Sequence, residues 1–451
     1  MARRLLPSLA IMAVAAIGIV AAPVVLNHAP GVPSAAFTPA PVMRDYVQRD
    51  ALVSFDEAQA KADPLDQITL RMLALQYMQR FRERFDFTDV TRAENAAQRS
   101  LRLQPQGNTP AEMTLGSALL AYHNFIPALA HERAALAGAP YNLNARAQVA
   151  SVLMELGRYP EAERTLGAIV DGPDEDPTVD SVRARYAELT GHLGYARALI
   201  AGAIATTDAA TENSAYNRSW FHMRAGQLAF EAGDASAAEA EFAASLAAYP
   251  DNAMALLYQA RMFRAQKRWH ETLAAASRSV ELYPLPQGLG YQADAQRALG
   301  DTAGARQTDA LIAAEERLFD AQGVNDRLLA NYYAQRGVHL TVALRAARDD
   351  YRRRGDEVYA DDTMAWTLAR AGRWREARRF ARLATRLGTQ DSEVQFHAGT
   401  IALHNGAPQE ARMRLQAALD RNPAFDPFDP DAARAELRSL LTAGTSPNHT
   451  P

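Results

Sequence analysis

Two histidines and a group of arginines are the side chains whose spacing could support chemistry. His397 and His404 stand seven residues apart, which places them two turns along one helix and on the same face. Metal sites on helices more often pair histidines four residues apart with an acidic neighbour, as in H-E-x-x-H, and the sequence has no such motif. A zinc or nickel site is therefore a minor hypothesis, and we predict that the chain holds no metal and no cofactor.

Motifs of catalysis are missing from the sequence. It has no cysteine, which excludes disulfides, thiolate metal ligands, a cysteine nucleophile and a lipid-attachment cysteine. The G-x-S-x-G, P-loop and Rossmann motifs are absent as well. Since strand-like alternation of apolar and polar residues is also lacking, we predict that the protein is not an enzyme and has no small-molecule substrate.

Arginine supplies nearly all of the positive charge, because Lys61 and Lys267 are the only lysines. The net charge of -4 is small for 451 residues, which argues against nucleic-acid binding. A guanidinium group recognises a carboxylate through two parallel hydrogen bonds. Arginines gathered on one face are therefore a candidate site for acidic side chains or a chain terminus. The alternative is that they simply face water.

The element that must position these side chains is a helix–turn–helix unit that recurs every 34 residues. Three small residues of the stretch 364–388 return at this offset: Gly372 as Gly406, Ala377 as Ala411 and Ala384 as Ala418. The glycine marks the turn between two antiparallel helices, and the small alanines allow these helices to approach closely. The pattern predicts stacked helix pairs from about residue 74 to residue 425.

These units resemble the tetratricopeptide repeat superfamily, whose period is 34 residues. The resemblance is clearest in the units that begin at 109, 143, 219, 253, 358 and 392. It implies an all-α fold, a right-handed α-solenoid of antiparallel helix pairs. The first helices of the pairs would line a concave groove that holds peptides, helices or protein termini. The C-terminal units also look like those of many uncharacterised exported bacterial proteins, a group that implies no known reaction.

Positions on the first helices, opposite the small packing residues, are predicted to point into this groove. They are Gln148, Arg185, Trp220, Arg224, Gln227, Arg261 and Arg264. Four arginines in three consecutive units would form an electropositive stripe for the carboxylates of a protein or peptide partner. Trp220 is predicted to be an exposed anchor, although aromatic residues at helical spacing more often belong to the core.

Residues 1–28 have the layout of a signal peptide or a membrane anchor. Arg3 and Arg4 precede an uncharged apolar run that is nearly as long as the roughly 20 residues needed to span a bilayer. Small residues at Ser34 and Ala36 would fit a cleavage site. Cleavage and retention both stay open, and both predict an exported chain that is periplasmic or anchored to the inner membrane.

The remainder of the chain divides by composition and repeat register. It comprises a proline-rich linker at 29–45, an N-terminal array at 46–204, a polar insertion at 205–218, a central array at 219–322, a C-terminal array at 323–425, a capping helix at 426–442 and a disordered tail at 443–451. A separate charged helix is expected at 315–322, with Gly323 as its C-cap.

Three functions remain open after the sequence is read. The favoured one is a non-enzymatic scaffold in the cell envelope that binds an extended or helical segment of a partner, in particular an acidic one, between about residues 140 and 300. The second is a structural or assembly factor whose convex arginines, among them Arg375, Arg379 and Arg382, contact anionic lipid. The third is an accessory subunit of a metal or redox system, which rests only on His397 and His404.

Overall fold

The computed structural model describes residues 45–169, 176–210, 214–322 and 327–443, and within these ranges every regular element is an α-helix. The signal or anchor segment at 1–28, the linker up to residue 44 and the tail from residue 444 lie outside the described residues. None of the described helices is both long enough and apolar enough to cross a membrane. The all-α solenoid predicted from the sequence is confirmed.

Twenty of the described helices form ten successive pairs, and each pair packs on the next. The first five pairs are α2 (Gln67–Arg84) with α3 (Phe87–Leu103), α4 (Thr109–Ala121) with α5 (Phe125–Gly138), α6 (Leu143–Glu155) with α7 (Tyr159–Gly167), α8 (Pro177–Leu189) with α9 (Leu193–Ala209), and α10 (Ala215–Glu231) with α11 (Ala235–Ala248). The other five are α12 (Ala253–Ala265) with α13 (Trp269–Leu282), α14 (Pro286–Ala298) with α15 (Thr302–Gln322), α16 (Arg327–Arg336) with α17 (Leu340–Arg354), α18 (Val358–Arg370) with α19 (Trp374–Ala384), and α20 (Ser392–His404) with α21 (Pro408–Arg421).

One further helix lies at each end of the array. The N-terminal helix α1 (Asp45–Ala62) packs on α2 and also contacts α10. The C-terminal helix α22 (Asp429–Ala443) packs on α20 and α21. Both cover apolar surface that a terminal repeat would otherwise expose, since every repeat of a solenoid is built to pack on a neighbour.

Two glycines lie where one helix of a pair meets the other. A Cβ atom added to Gly226 would lie 2.7 Å from the ring of Phe242, and one added to Gly399 would lie 2.9 Å from Cγ of Leu415. Such distances are shorter than real Cβ contacts, so only glycine admits these bulky side chains of the second helix. The glycine thus sets the close spacing of the two helices within each of these pairs.

Two of the predicted boundaries differ from the observed helices. Helix α9 continues to Ala209 and α10 begins at Ala215, so most of the polar segment 205–218 is helical. The helix tolerates its threonines because Thr206 and Thr207 donate hydrogen bonds to carbonyl groups one turn back. The charged stretch 315–322 is not a separate helix but the last part of α15, and Gly323 lies outside the described residues.

Repeats that are far apart in the sequence also touch, because the solenoid winds back onto itself. The Arg354 guanidinium pairs with Glu155, 199 residues away, and the Val358 amide donates to the Tyr159 hydroxyl at 3.0 Å across the same separation. The Asn422 side-chain amide donates to the Phe230 carbonyl at 2.7 Å. One superhelical turn therefore spans about six repeats of 34 residues, and the second turn stacks on the first.

The stacked turns meet at the tips of the helix pairs. Gly157, Gly191 and Gly233 lie in the turns inside three consecutive pairs, and all three have positive φ angles. A Cβ atom at these glycines would collide with the backbone carbonyls of Asp356, Gly388 and Arg421, respectively. The tight turns inside these three helix pairs are thus in direct backbone contact with the junctions between repeats of the second superhelical turn.

Candidate functional site

A partly open chamber of about 220 Å³ lies on the concave side of the second half of the array. It is lined from the first helices of seven consecutive pairs, α8, α10, α12, α14, α16, α18 and α20. The ring closes where α18 meets α8, since the Tyr359 hydroxyl donates to Glu188 at 3.3 Å and the Arg185 guanidinium lies 4.9 Å from the Tyr359 ring centroid. The predicted open groove is therefore a chamber in this part of the chain.

Six of the seven predicted groove residues line this chamber. They are Arg185, Trp220, Arg224, Gln227, Arg261 and Arg264. The seventh, Gln148, does not line it and is fully buried on α6, one repeat before the chamber begins. The periodicity of the first helices thus brought together side chains that do share one space.

Trp220 is not the exposed anchor that we predicted. Its side chain is only 4% exposed and packs edge to face on Phe221, with ring centroids 5.0 Å apart. Its ring forms part of the apolar wall of the chamber and does not project into solvent, because the surrounding helices cover it. The more frequent role of aromatic residues at helical spacing, as part of the core, applies here.

The predicted electropositive stripe is wrong in one respect, because its arginines are already paired with carboxylates of the chain. Arg224 pairs with Glu188, and Arg261 Nη2 lies 3.0 Å from Glu393. Arg264 lies 2.8 Å from Asp294 and 2.7 Å from Asp426, and Arg185 lies 2.7 Å from Glu188. These contacts satisfy the guanidinium groups internally, so no row of unpaired positive charge faces the chamber.

The acidic half of the lining was not among the predicted groove residues. Six arginines and six carboxylates line the chamber, and the carboxylates are Glu188, Glu231, Asp362, Asp391, Glu393 and Asp426. Only Glu188 carried a local signal, since it stands three positions after Arg185 on the same helix. Glu393 and Asp426 lie 132 and 162 residues from their arginine partners, and no local pattern reports such pairs.

The chamber carboxyls differ in how strongly their environment favours the charged form. Burial raises the pKa of Glu231 to about 8, the nearby Glu188 and Asp391 charges add to this, and Arg224 and Arg261 oppose it. Burial also opposes ionisation of Glu188, but Arg185 and Arg224 lower its pKa below the usual value. At neutral pH Glu231 is therefore mostly protonated while Glu188 is ionised.

The two histidines of the minor metal hypothesis pack on tryptophans of the preceding repeat. His397 stacks on Trp366 with ring centroids 4.1 Å apart, and His404 stacks on Trp374 at 3.7 Å. His397 Nδ1 also lies 3.0 Å from Asp362; burial lowers the pKa of His397, but Asp362 outweighs this and raises it to about 9. In the described ranges no group of three or more metal-binding side chains was found.

Residues 119–186, from the end of α4 into α8, match the family model described as a tetratricopeptide repeat. This match confirms the repeat class predicted from the sequence, and that class indicates a protein–protein interaction scaffold. A comparison with curated proteins gives no match.

Three solved structures illustrate the likeness at low sequence identity. Yeast Tom70 is 11% identical, covering 84% of this chain and 96% of its own, with a TM-score of 0.34. The Cut9 and Hcn1 heterotetramer of APC/C is 12% identical, covering 88% and 93%, at 0.32. A tetratricopeptide repeat protein from Parabacteroides merdae is 13% identical, covering 59% and 98%, at 0.33. At TM-scores of this size the likeness carries no inference about function.

Proposed function

We propose that the protein is a non-enzymatic scaffold that receives a short segment of a partner protein in the chamber. The observation that carries this proposal is the convergence of six predicted groove residues on one chamber that has both charged and apolar walls. A helix with its side chains is about 10 Å across, too wide for a space of about 220 Å³. An extended stretch of a few residues, or a chain end, therefore suits the chamber better than a helical partner.

We also propose that the scaffold works in the cell envelope. The support is the basic and then apolar order of residues 1–28, which is typical of an export signal or an anchor. Fusing alkaline phosphatase after residue 451 tests this in a bacterial host, because that enzyme requires export to become active. Removal of residues 1–28 should abolish the phosphatase activity, and activity that persists without them would contradict the proposal.

The binding role is tested by filling the chamber with a large side chain. Gln287 lines the chamber from α14, and Gln307 lies exposed on α15 of the same repeat. The full-length chain, Gln287→Trp and Gln307→Trp would each be used for affinity capture from native envelope extract, followed by mass spectrometry. We expect a partner that is retained by Gln307→Trp and lost with Gln287→Trp, at unchanged melting temperature. Equal capture by both variants would exclude the chamber as the binding site.

Contact of the convex face with anionic lipid is a second candidate. Arg375, Arg379 and Arg382 are exposed on α19 and could approach a negatively charged membrane surface. Vesicles with and without phosphatidylserine distinguish this candidate from the first. Binding that requires the anionic lipid and is lost on changing the three arginines to glutamine would favour it.

A further inference from the structure

Glu231 differs from the other carboxylates of the chamber in its contacts. Among the described residues no hydrogen bond to its carboxyl is found, although it lies at the end of α10 and lines the chamber. The remaining five are engaged: Glu188 with Arg185 and Arg224, Asp362 with His397, Asp391 with the amides of Glu393 and Val394, Glu393 with Arg261, and Asp426 with Arg264.

The two arginines whose charges act on Glu231 form ion pairs with other carboxylates. Arg224 on its own helix pairs with Glu188 from α8, and Arg261 from α12 pairs with Glu393 from α20. The negative charges of Glu188 and of Asp391, which precedes α20, also act on Glu231. Within the described ranges, Glu231 thus forms no ion pair of its own, and every arginine that lines the chamber has an acidic partner.

The walls of the chamber also suit a positively charged guest. Tyr258, Tyr291 and Trp366 line it, with one face of Trp366 covered by His397, and the faces of aromatic rings attract ammonium and guanidinium groups. The same ring faces already receive cations in this fold, since the Arg264 guanidinium lies 5.3 Å from the Tyr291 ring centroid. Aromatic rings and a carboxyl with no hydrogen bond line the same chamber, a combination that favours a cation over an anion.

We propose that Glu231 binds the guanidinium or ammonium group of an arginine or lysine side chain on the partner segment. This inference rests on the scaffold function proposed above and reverses the acidic partner expected from the arginine-rich lining. In the empty chamber the carboxyl keeps its proton, so no unpaired charge is buried there. A bound cation stabilises the carboxylate, and the proton of Glu231 leaves to solvent as the ion pair forms.

Calorimetric titration of the full-length chain at pH 7 tests this inference with end-blocked pentapeptides. The probe has arginine between two pairs of alanines; matched peptides replace it with citrulline, its uncharged isostere, or with glutamate. We expect the arginine peptide to bind at least roughly tenfold more tightly than the other two, the ratio that one lost ion pair of modest strength gives. Repeating the titration in phosphate and Tris buffers should reveal the release of about one proton per bound peptide.

Two variants separate a role of Glu231 from general effects of charge. Glu231→Gln keeps the shape of the side chain and should abolish both the preference for arginine and the proton release. Glu281→Gln removes an exposed glutamate on α13 and should change neither. Thermal melting checks that both variants fold. Equal binding of the glutamate peptide, or unchanged binding by Glu231→Gln, would overturn the inference, whereas the scaffold function would fall only if Gln287→Trp left partner capture intact.

Discussion

Glu132 occupies a place in its repeat that apolar side chains occupy in other repeats. It packs against Gly116, as Phe242 packs against Gly226 and Leu415 against Gly399. The Glu132 side chain is fully buried, and neither carboxyl oxygen has a hydrogen-bond partner among the described residues. Burial, with the nearby Glu112 charge, raises the pKa of Glu132 well above its usual value. The carboxyl is therefore an internal weakness of the second pair.

Replacement of Glu132 by leucine should stabilise the fold, and more so as the pH rises. The unfolded chain releases the Glu132 proton above its usual pKa near 4.5, while the folded chain retains it, so the wild type loses stability with rising pH. The gain from Glu132→Leu should therefore grow between pH 5 and pH 8 by up to about 1.4 kcal/mol per pH unit. Urea denaturation measures this difference.

The matched control for this titration is Glu163→Leu, which changes an exposed glutamate on α7. Its effect on the free energy of unfolding should be small across the same pH range, because the Glu163 side chain is exposed and fills no position in the core. A gain for Glu132→Leu that does not vary with pH would show that the Glu132 carboxyl ionises normally in the folded protein.

Turn glycines at equivalent positions of different repeats have different structural roles. Gly191 and Gly372 both have positive φ angles, 81° and 76°, which cost a residue with a side chain about 1–2 kcal/mol. A Cβ at Gly372 would meet nothing within 4 Å, whereas a Cβ at Gly191 would collide with the carbonyl of Gly388 in the next superhelical turn. Gly372 is thus needed only for the tight turn, whereas Gly191 is needed for the tight turn and for the stacking of the superhelical turns.

Alanine at these two glycines should separate the two roles. Gly372→Ala should lose only the backbone contribution, while Gly191→Ala should lose about 1–3 kcal/mol more, because a tight contact must open. Urea denaturation of both variants at one pH gives the comparison. Equal losses would mean that the stacked turns adjust without resistance at Gly191.

The helix pairs could be predicted from the sequence, since each of their signals lies within one repeat. Gly372 and Gly406 mark equivalent turns, and the first-helix period brought Arg261 and Arg264 to the same chamber. The stacking could not be predicted in this way. Glu155 and Arg354 each look like ordinary surface charges on their own helices, and only the superhelical pitch brings them together. Trp220 was misjudged for the same reason, because what covers a concave face depends on that pitch.

At the scale of the whole molecule, the Arg354 side chain joins the two superhelical turns. It is only 1% exposed, lies 2.9 Å from Asp350, pairs with Glu155 and covers the Phe125 ring at 4.4 Å. Burial opposes its positive charge, but Asp350, Glu155 and Glu357 raise its pKa, so it stays charged. This single residue thus links its own helix, α17, to α5 and α6 of the other superhelical turn.

Removal of this guanidinium should loosen both superhelical turns together. Arg354→Met removes the partner of Glu155 and the nearer partner of Asp350, which costs about 3–5 kcal/mol for a buried pair. Hydrogen exchange should therefore speed up in α5 and α6 as well as in α17 and α18. Arg158→Met, which removes a partly exposed pair with Glu161 at the start of α7 in the same superhelical turn as α5 and α6, is the control. Faster exchange confined to α17 would show that the two turns open independently.

The contacts between stacked superhelical turns also fix the number of repeats that separate two contacting repeats in the sequence. In an open solenoid a unit can be duplicated or lost with little disturbance, because each unit meets only its neighbours. Here the deletion of one interior unit would place every later junction opposite the wrong partner, so that Gly191 would no longer face Gly388. Repeats can therefore be added or lost only at the two ends of the array, where the contacts between the stacked turns keep their register.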